Sequence, residues 1–154
     1  MTAILLQMTY DRELRQTDDA ISLRNIHDDT PIALVREKAH RLLAAGGYWA
    51  VGEFETEDLE QIWLLSQNGY RSPSWSRQPP PGVKPLGDGT VYGGFGYQDS
   101  CVGDIVVIDG RCHIAVKFGF EDIGELPVSL ESIPIPRDTG SRLPEPEVSD
   151  APRM

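Results

Sequence analysis

The chain has 154 residues, with 24 Asp and Glu against 14 Lys and Arg, and a formal net charge of −10. That length suits one domain able to bury a core without metal or disulfide staples, and two cysteines make no disulfide framework. The acidic balance argues against general nucleic-acid binding, which is built from phosphate-neutralising Lys and Arg. No apolar run approaches the roughly 18 residues of a membrane span, and the start, Met1 to Met8, lacks the basic region of a signal peptide. A cytoplasmic protein is the expectation.

Ala3 to Tyr10 reads as a short buried strand, and the charge-mixed stretch Asp11 to Asp29 as a solvated loop with one helical turn around Ile21 to Ile26. A helix follows, with Thr30 as N-cap and Pro31 at its first position. Ile32, Val35, Ala39, Leu42 and Leu43 recur at helical spacing and line its apolar face, and Gly46-Gly47 stops it. Tyr48 to Phe54 reads as a strand. A second helix is expected from Thr56 as N-cap, with Leu59, Ile62, Trp63 and Leu65 inward and Asn68-Gly69 at its end.

From Gln67 to Gln98 regular periodicity gives way to proline and glycine, and a long loop is expected. Its charge reverses, with Arg71, Arg77 and Lys84 against Asp88 alone, and it carries Tyr70, Trp75, Tyr92, Phe95 and Tyr97. The clearest local signal comes next. Val102 to Ile108 and Arg111 to Phe118 flank Asp109-Gly110, the signature of a hairpin with a type I′ turn. That turn sets Ile108 opposite Arg111, Val107 opposite Cys112 and Val106 opposite His113. Ile105, Val107, Cys112, Ile114, Val116 and Phe118 then share a core face, and Arg111, His113, Ala115 and Lys117 a half-polar face toward solvent. Val128 to Ile135 reads as a weak edge strand, and the chain from Pro136 as a disordered tail. The sum is a single α+β domain over 1–135, a mostly antiparallel sheet with two helices packed on one face, and a tail over 136–154.

Five carboxylates, Glu53, Glu55, Glu57, Asp58 and Glu60, fall within eight residues that hold no cation. They favour a helix N-terminus through its dipole, and they equally suit docking to a basic protein surface. The loop aromatics with Arg71 and Arg77 match the residue types of interface hot spots. Read as core cover instead, Trp75 and Tyr92 tuck under the loop. Stacking of single-stranded nucleic acid is a third use of the same residues. Cys101, Cys112 and His113 fit no zinc spacing, and the hairpin register turns Cys112 and His113 to opposite faces, so structural cysteines are expected. His40 sits among cations on the first helix, and His27 in the acidic loop beside Asp28 and Asp29. The glycines at 87–89 and 93–96 lack the strand and helix context of a phosphate cradle.

Ser100-Cys101-Val102-Gly103-Asp104-Ile105-Val106-Val107, then Asp109-Gly110, then Val116-Lys117-Phe118-Gly119-Phe120-Glu121-Asp122-Ile123 resembles the YodL-like domain. That family carries a Ser-x-Ser-Val-Gly-Asp motif entering a hairpin and a Phe-Gly-Phe-x-x-Ile motif leaving it. The helix from Asp58 to Asn68 and the loop Trp at 75 extend the resemblance over 48–123. Cys101 departs from it, standing where a small hydroxyl residue is usual, and the loop is longer and richer in proline. The resemblance implies a small protein of bacterial mobile elements, such as conjugative plasmids and phages, with no established enzymatic activity and no catalytic residues to carry over. The residues themselves assign Gly103-Asp104 to a tight approach at the strand entrance, with Asp104 accepting backbone hydrogen bonds.

The expected function is therefore non-enzymatic protein binding. An acidic surface over Glu53 to Glu60, with Arg71, Trp75, Arg77 and Tyr92 as further contacts, would meet a basic surface such as the nucleic-acid site of a defence or replication protein. No cofactor or metal is expected, and nucleic acid and membrane are not expected partners. Two alternatives stand beside it: a small metal-dependent hydrolase or nuclease using carboxylates or His113, and a single-stranded nucleic-acid binder acting through 67–98.

Overall fold

A computed structural model describes residues 2–87 and 96–136. Tyr92, Phe95 and the expected tail beyond Pro136 lie outside them. Six strands form one antiparallel sheet, β1 (Ala3–Met8), β2 (Tyr48–Phe54), β3 (Val83–Pro85), β4 (Ile105–Ile108), β5 (Arg111–Val116) and β6 (Gly119–Glu125), in the spatial order β3-β2-β1-β4-β5-β6. Four helices accompany them, α1 (Arg12–Arg15), α2 (Asp18–Arg24), α3 (Ile32–Ala44) and α4 (Leu59–Leu65). This is the expected α+β class.

The β4–β5 hairpin has the register read from its Asp-Gly pair: Ile108 opposite Arg111, Val107 opposite Cys112, Val106 opposite His113. Asp109 and Gly110 have φ of 56° and 76°, the two positive values that a type I′ turn requires. Alternation along the strands sorts the core into two layers. Leu6, Met8, Tyr48, Ile105, Val107, Cys112 and Ile114 meet α2 and α3 on one face. Ala3, Leu5, Val51, Phe54 and Val106 meet Ile62 of α4, with Trp75 and Tyr97, on the other.

Several expectations need correction. The helices at 32–44 and 59–65 divide between the two faces of the sheet, whereas one shared face is expected from the sequence. The second hairpin face is solvated only in part: Arg111 and Lys117 are exposed and His113 half-buried, while Ala115 and Val106 are fully buried. The charge-mixed stretch is folded into α1 and α2, capped by Asp11 accepting from the Leu14 N–H and Thr17 accepting from the Ala20 N–H. Asp58, not Thr56, caps α4, its Oδ1 accepting from the N–H groups of Glu60 and Gln61 at 3.0 and 3.3 Å. Pro31, not Thr30, is the capping position of α3, and the Thr30 hydroxyl instead accepts from the His27 N–H.

β5 ends at Val116, two residues before the strand end expected at Phe118. The chain turns at Lys117-Phe118 and returns as β6, which leaves Phe118 80% exposed rather than in the core. The stretch 128–135 holds a 3-10 turn, Leu130–Ser132, and touches the sheet through the Ala50 N–H to the Pro134 carbonyl. Pro134 within that stretch lacks the N–H group a strand would need, and Pro127 and Pro136 bound it on either side.

Candidate functional site

The acidic run starts on β2 and ends on α4. Phe54, at the end of β2, points into the core, while Glu55, Glu57, Asp58 and Glu60 are exposed. Two of the five carboxylates have structural work. The register sets Glu53 opposite Lys84 of β3, and Asp58 is the α4 cap. Glu55, Glu57 and Glu60 remain as outward charge.

Glu60 also borders a cleft of about 410 Å³ between α4 and the β5–β6 turn, lined by Leu59, Trp63, Val116, Lys117, Gly119 and Phe120. Trp63 and Phe120 stand edge to face within it, their ring centres 6.1 Å apart, an arrangement aromatic pairs favour. On the opposite face of the sheet a second cleft of about 340 Å³ runs beside α3. It includes Ile26, His27, Asp28, Val116, Phe118 and Glu121. Phe118 and Lys117, with the Lys117 ammonium 5.4 Å from the Phe118 ring centre, stand at the turn where the two clefts approach each other. Leu59 and Trp63 are expected from the sequence on the inward side of the helix, yet only Ile62 of that side is fully buried, and Leu59 and Trp63 are half-buried at the cleft. Their meeting with 116–120 was not legible, because it joins segments more than fifty residues apart.

The expected loop surface is largely core. Trp75 is fully buried: its indole N–H donates to the Gln98 carbonyl at 3.0 Å, and its ring packs on Phe54 and Tyr97. It is therefore no partner contact, and it offers no face for a nucleic-acid base. Arg71 and Arg77 are exposed, Arg71 with its guanidinium 5.3 Å from the Tyr70 ring centre. They stand apart from any exposed loop tryptophan.

At the strand entrance, Asp104 does what its position predicts. Its two carboxylate oxygens accept from the Cys101 N–H at 2.8 Å and the Met8 N–H at 3.3 Å. Gly103 has φ 96°, and a Cβ there would lie 2.8 Å from the Leu23 carbonyl oxygen. The Tyr48 hydroxyl donates to the Gly103 carbonyl at 2.6 Å. Burial pushes the Asp104 carboxyl up to about 7, against the two N–H donors and the nearby Arg15. At 3% exposure this acid is closed to a substrate and serves the fold.

The two cysteines lie in different surroundings. Cys112 is buried, and that burial pushes its thiol up to about 12. Cys101 is exposed, its thiol raised chiefly by burial, with Asp104 and Asp99 adding to it. Neither is activated as a nucleophile, which needs a lowered value. Among the described residues no three His, Cys, Asp or Glu side chains gather as a metal site would require, and no helix is long and apolar enough to cross a membrane.

No family model, curated protein or solved structure matches the chain. The functional reading therefore rests on the chain's own geometry. What that geometry brings together is a carboxylate edge and an aromatic cleft that share Glu60.

Proposed function

We propose that this chain is a non-catalytic binding module whose acidic surface meets a basic region of a partner protein. The observation that carries the reading is the placement of Glu55, Glu57 and Glu60. All three are exposed, and Glu60 borders the Trp63–Phe120 cleft, so charge and apolar contact area adjoin there. Carboxylates of this kind accelerate encounter and select partners by sign, while a buried aromatic contact supplies affinity. The resemblance of 48–123 to YodL-like domains supports the setting, an accessory protein of a phage or conjugative element, and a host defence or replication protein as the target.

The test compares two baits in a bacterial lysate: the native protein, and one carrying Glu55→Lys, Glu57→Lys and Glu60→Lys. Glu53 and Asp58 are left intact, because reversing them would disturb β3 pairing and the α4 cap. One stoichiometric partner held by the native bait and lost by the variant is the expected result. A partner held equally by both baits would overturn the reading.

A further inference from the structure

β6 ends the sheet, and among the described residues no strand pairs with its outer side. Hydrogen-bonded positions alternate along an antiparallel strand. β5 gives one set to β4, shown by the Ala115 N–H to the Asp104 carbonyl at 2.8 Å, so its pairs with β6 through inward groups are Val116 with Gly119 and Ile114 with Glu121. Phe120 and Asp122 therefore turn their main-chain N–H and C=O groups outward. Natural sheets usually bulge, charge or cover such an edge to prevent association.

The side-chain charges of β6 itself have one sign, while Arg36 of α3 donates to the Ile123 carbonyl and Lys117 stands at the turn bordering both clefts. Glu121, Asp122 and Glu125 are all exposed, and among the described residues only Asp122 of the three forms an ion pair, with Arg111 at 3.0 Å. A second copy of this chain pairing edge to edge would bring these carboxylates against their own equivalents. A cationic strand would meet them favourably. The two clefts flank the same strand on opposite faces of the sheet, and each holds a carboxylate beside an aromatic ring: Glu60 with Trp63 and Phe120 in one, Asp28 and Glu121 with Phe118 in the other. Side chains of an added strand alternate between faces, so successive residues would enter one cleft and then the other.

We infer that β6 accepts an extended segment of a partner protein as a seventh strand, and that this segment carries Lys or Arg among apolar residues directed into both clefts. Main-chain bonds to Phe120 and Asp122 supply the pairing, and the clefts read the side chains, the division of labour typical of strand addition. The inference goes beyond the function proposed above, since it rests on the open backbone of β6 and shares only Glu60, at one cleft, with the carboxylates of 55–60.

The probe is a display library of random twelve-residue peptides selected on the native full-length protein. Selected sequences should be enriched in Lys and Arg alternating or interspersed with apolar residues. Asp122→Pro removes the outward N–H without touching the β5 ladder, while Asp122→Ala removes the Arg111 ion pair and the bond from the Gly124 N–H to the carboxylate but keeps the outward N–H. Binding of a selected peptide should fall about tenfold or more in the proline variant, the equivalent of one lost hydrogen bond, and change little in the alanine variant. Should the proline variant not fold, amide exchange on the native protein decides: the Phe120 and Asp122 amides should gain protection on peptide addition. Equal binding by both variants, unprotected amides, selected peptides without cationic enrichment, or a dimer of this chain abolished by Asp122→Pro would each overturn the inference. Asp122→Pro keeps Glu55, Glu57 and Glu60, and Glu55→Lys with Glu57→Lys alone keeps β6 and both clefts, so failure of the acidic-surface reading and failure of strand addition are read from different variants.

Discussion

At Asp104, desolvation and hydrogen bonding oppose each other. Two N–H donors and Arg15 favour the carboxylate, yet burial dominates and holds the group near 7, against 3.8 for an ordinary Asp. The folded protein therefore keeps this proton between about pH 4 and pH 7, where the unfolded chain has released it. Fewer protons bound in the unfolded state mean that stability falls as pH rises through that window and levels off above it. A shift of this size corresponds to about 4 kcal/mol. The carboxyls of Asp19 and Asp122 are held low by Arg41 and Arg111, so their stabilisation is lost only as pH drops below the ordinary carboxylate range, outside the same window. Urea unfolding at pH 5 and pH 8 should show the native protein more stable at pH 5. Asp104→Asn, which cannot ionise and presents an N–H₂ group where an acceptor is needed, should be less stable overall and lose most of this difference. An unchanged pH slope in the variant would show that another group holds the proton.

Among the elements, what could be read ahead of the structure follows how locally each is determined. The β4–β5 register is set by a two-residue turn and period-two alternation, both contained in fourteen residues, and it appears as expected. β6 escaped because an edge strand buries little: Ile123 is its one buried residue among Glu121, Asp122 and Glu125. α1 and α2 escaped because they are too short for helical periodicity, and their signals were the caps Asp11 and Thr17 with the buried pair Ala20 and Leu23. The acidic run of the candidate site was legible as composition, whereas the cleft it borders depends on a long-range meeting of α4 with β5 and β6. The stretch after α4 is the sharpest case. Its aromatic and cationic residues suit an interface, but burial of Trp75 is decided by Phe54, Tyr97 and the space left at Gly52, where a Cβ would lie 3.0 Å from the indole. Trp75→Ala should cost about 3–5 kcal/mol, as large-to-small changes of buried aromatics do, and Trp75→Phe should cost less while leaving the Gln98 carbonyl without its indole donor. Chemical unfolding of both variants checks this; a surface residue would give changes within about 0.5 kcal/mol.

Across the whole molecule, the excess of carboxylates weighs against compactness while favouring solubility. Among the described residues the ion pairs that offset it lie at the surface: Arg41 with Asp19 and Glu37, and Arg111 with Asp122. Pairs of this kind contribute about 0–1 kcal/mol each. A net charge of −10 instead acts over the whole surface at low salt, where the screening length is roughly 30 Å at 0.01 M, and much less at 0.15 M, where it is about 8 Å. Screening thus removes more repulsion than attraction, and the melting temperature should rise by a few degrees between 0.01 and 0.15 M sodium chloride. Binding to a basic partner should weaken over the same interval, because there the long-range force is attractive. The opposite signs of these two salt responses separate the cost of the acidic surface in the free protein from its use in a complex. A melting temperature that falls with salt would mean that the exposed ion pairs outweigh the excess charge, and that the acidic surface carries no cost for its partner to relieve.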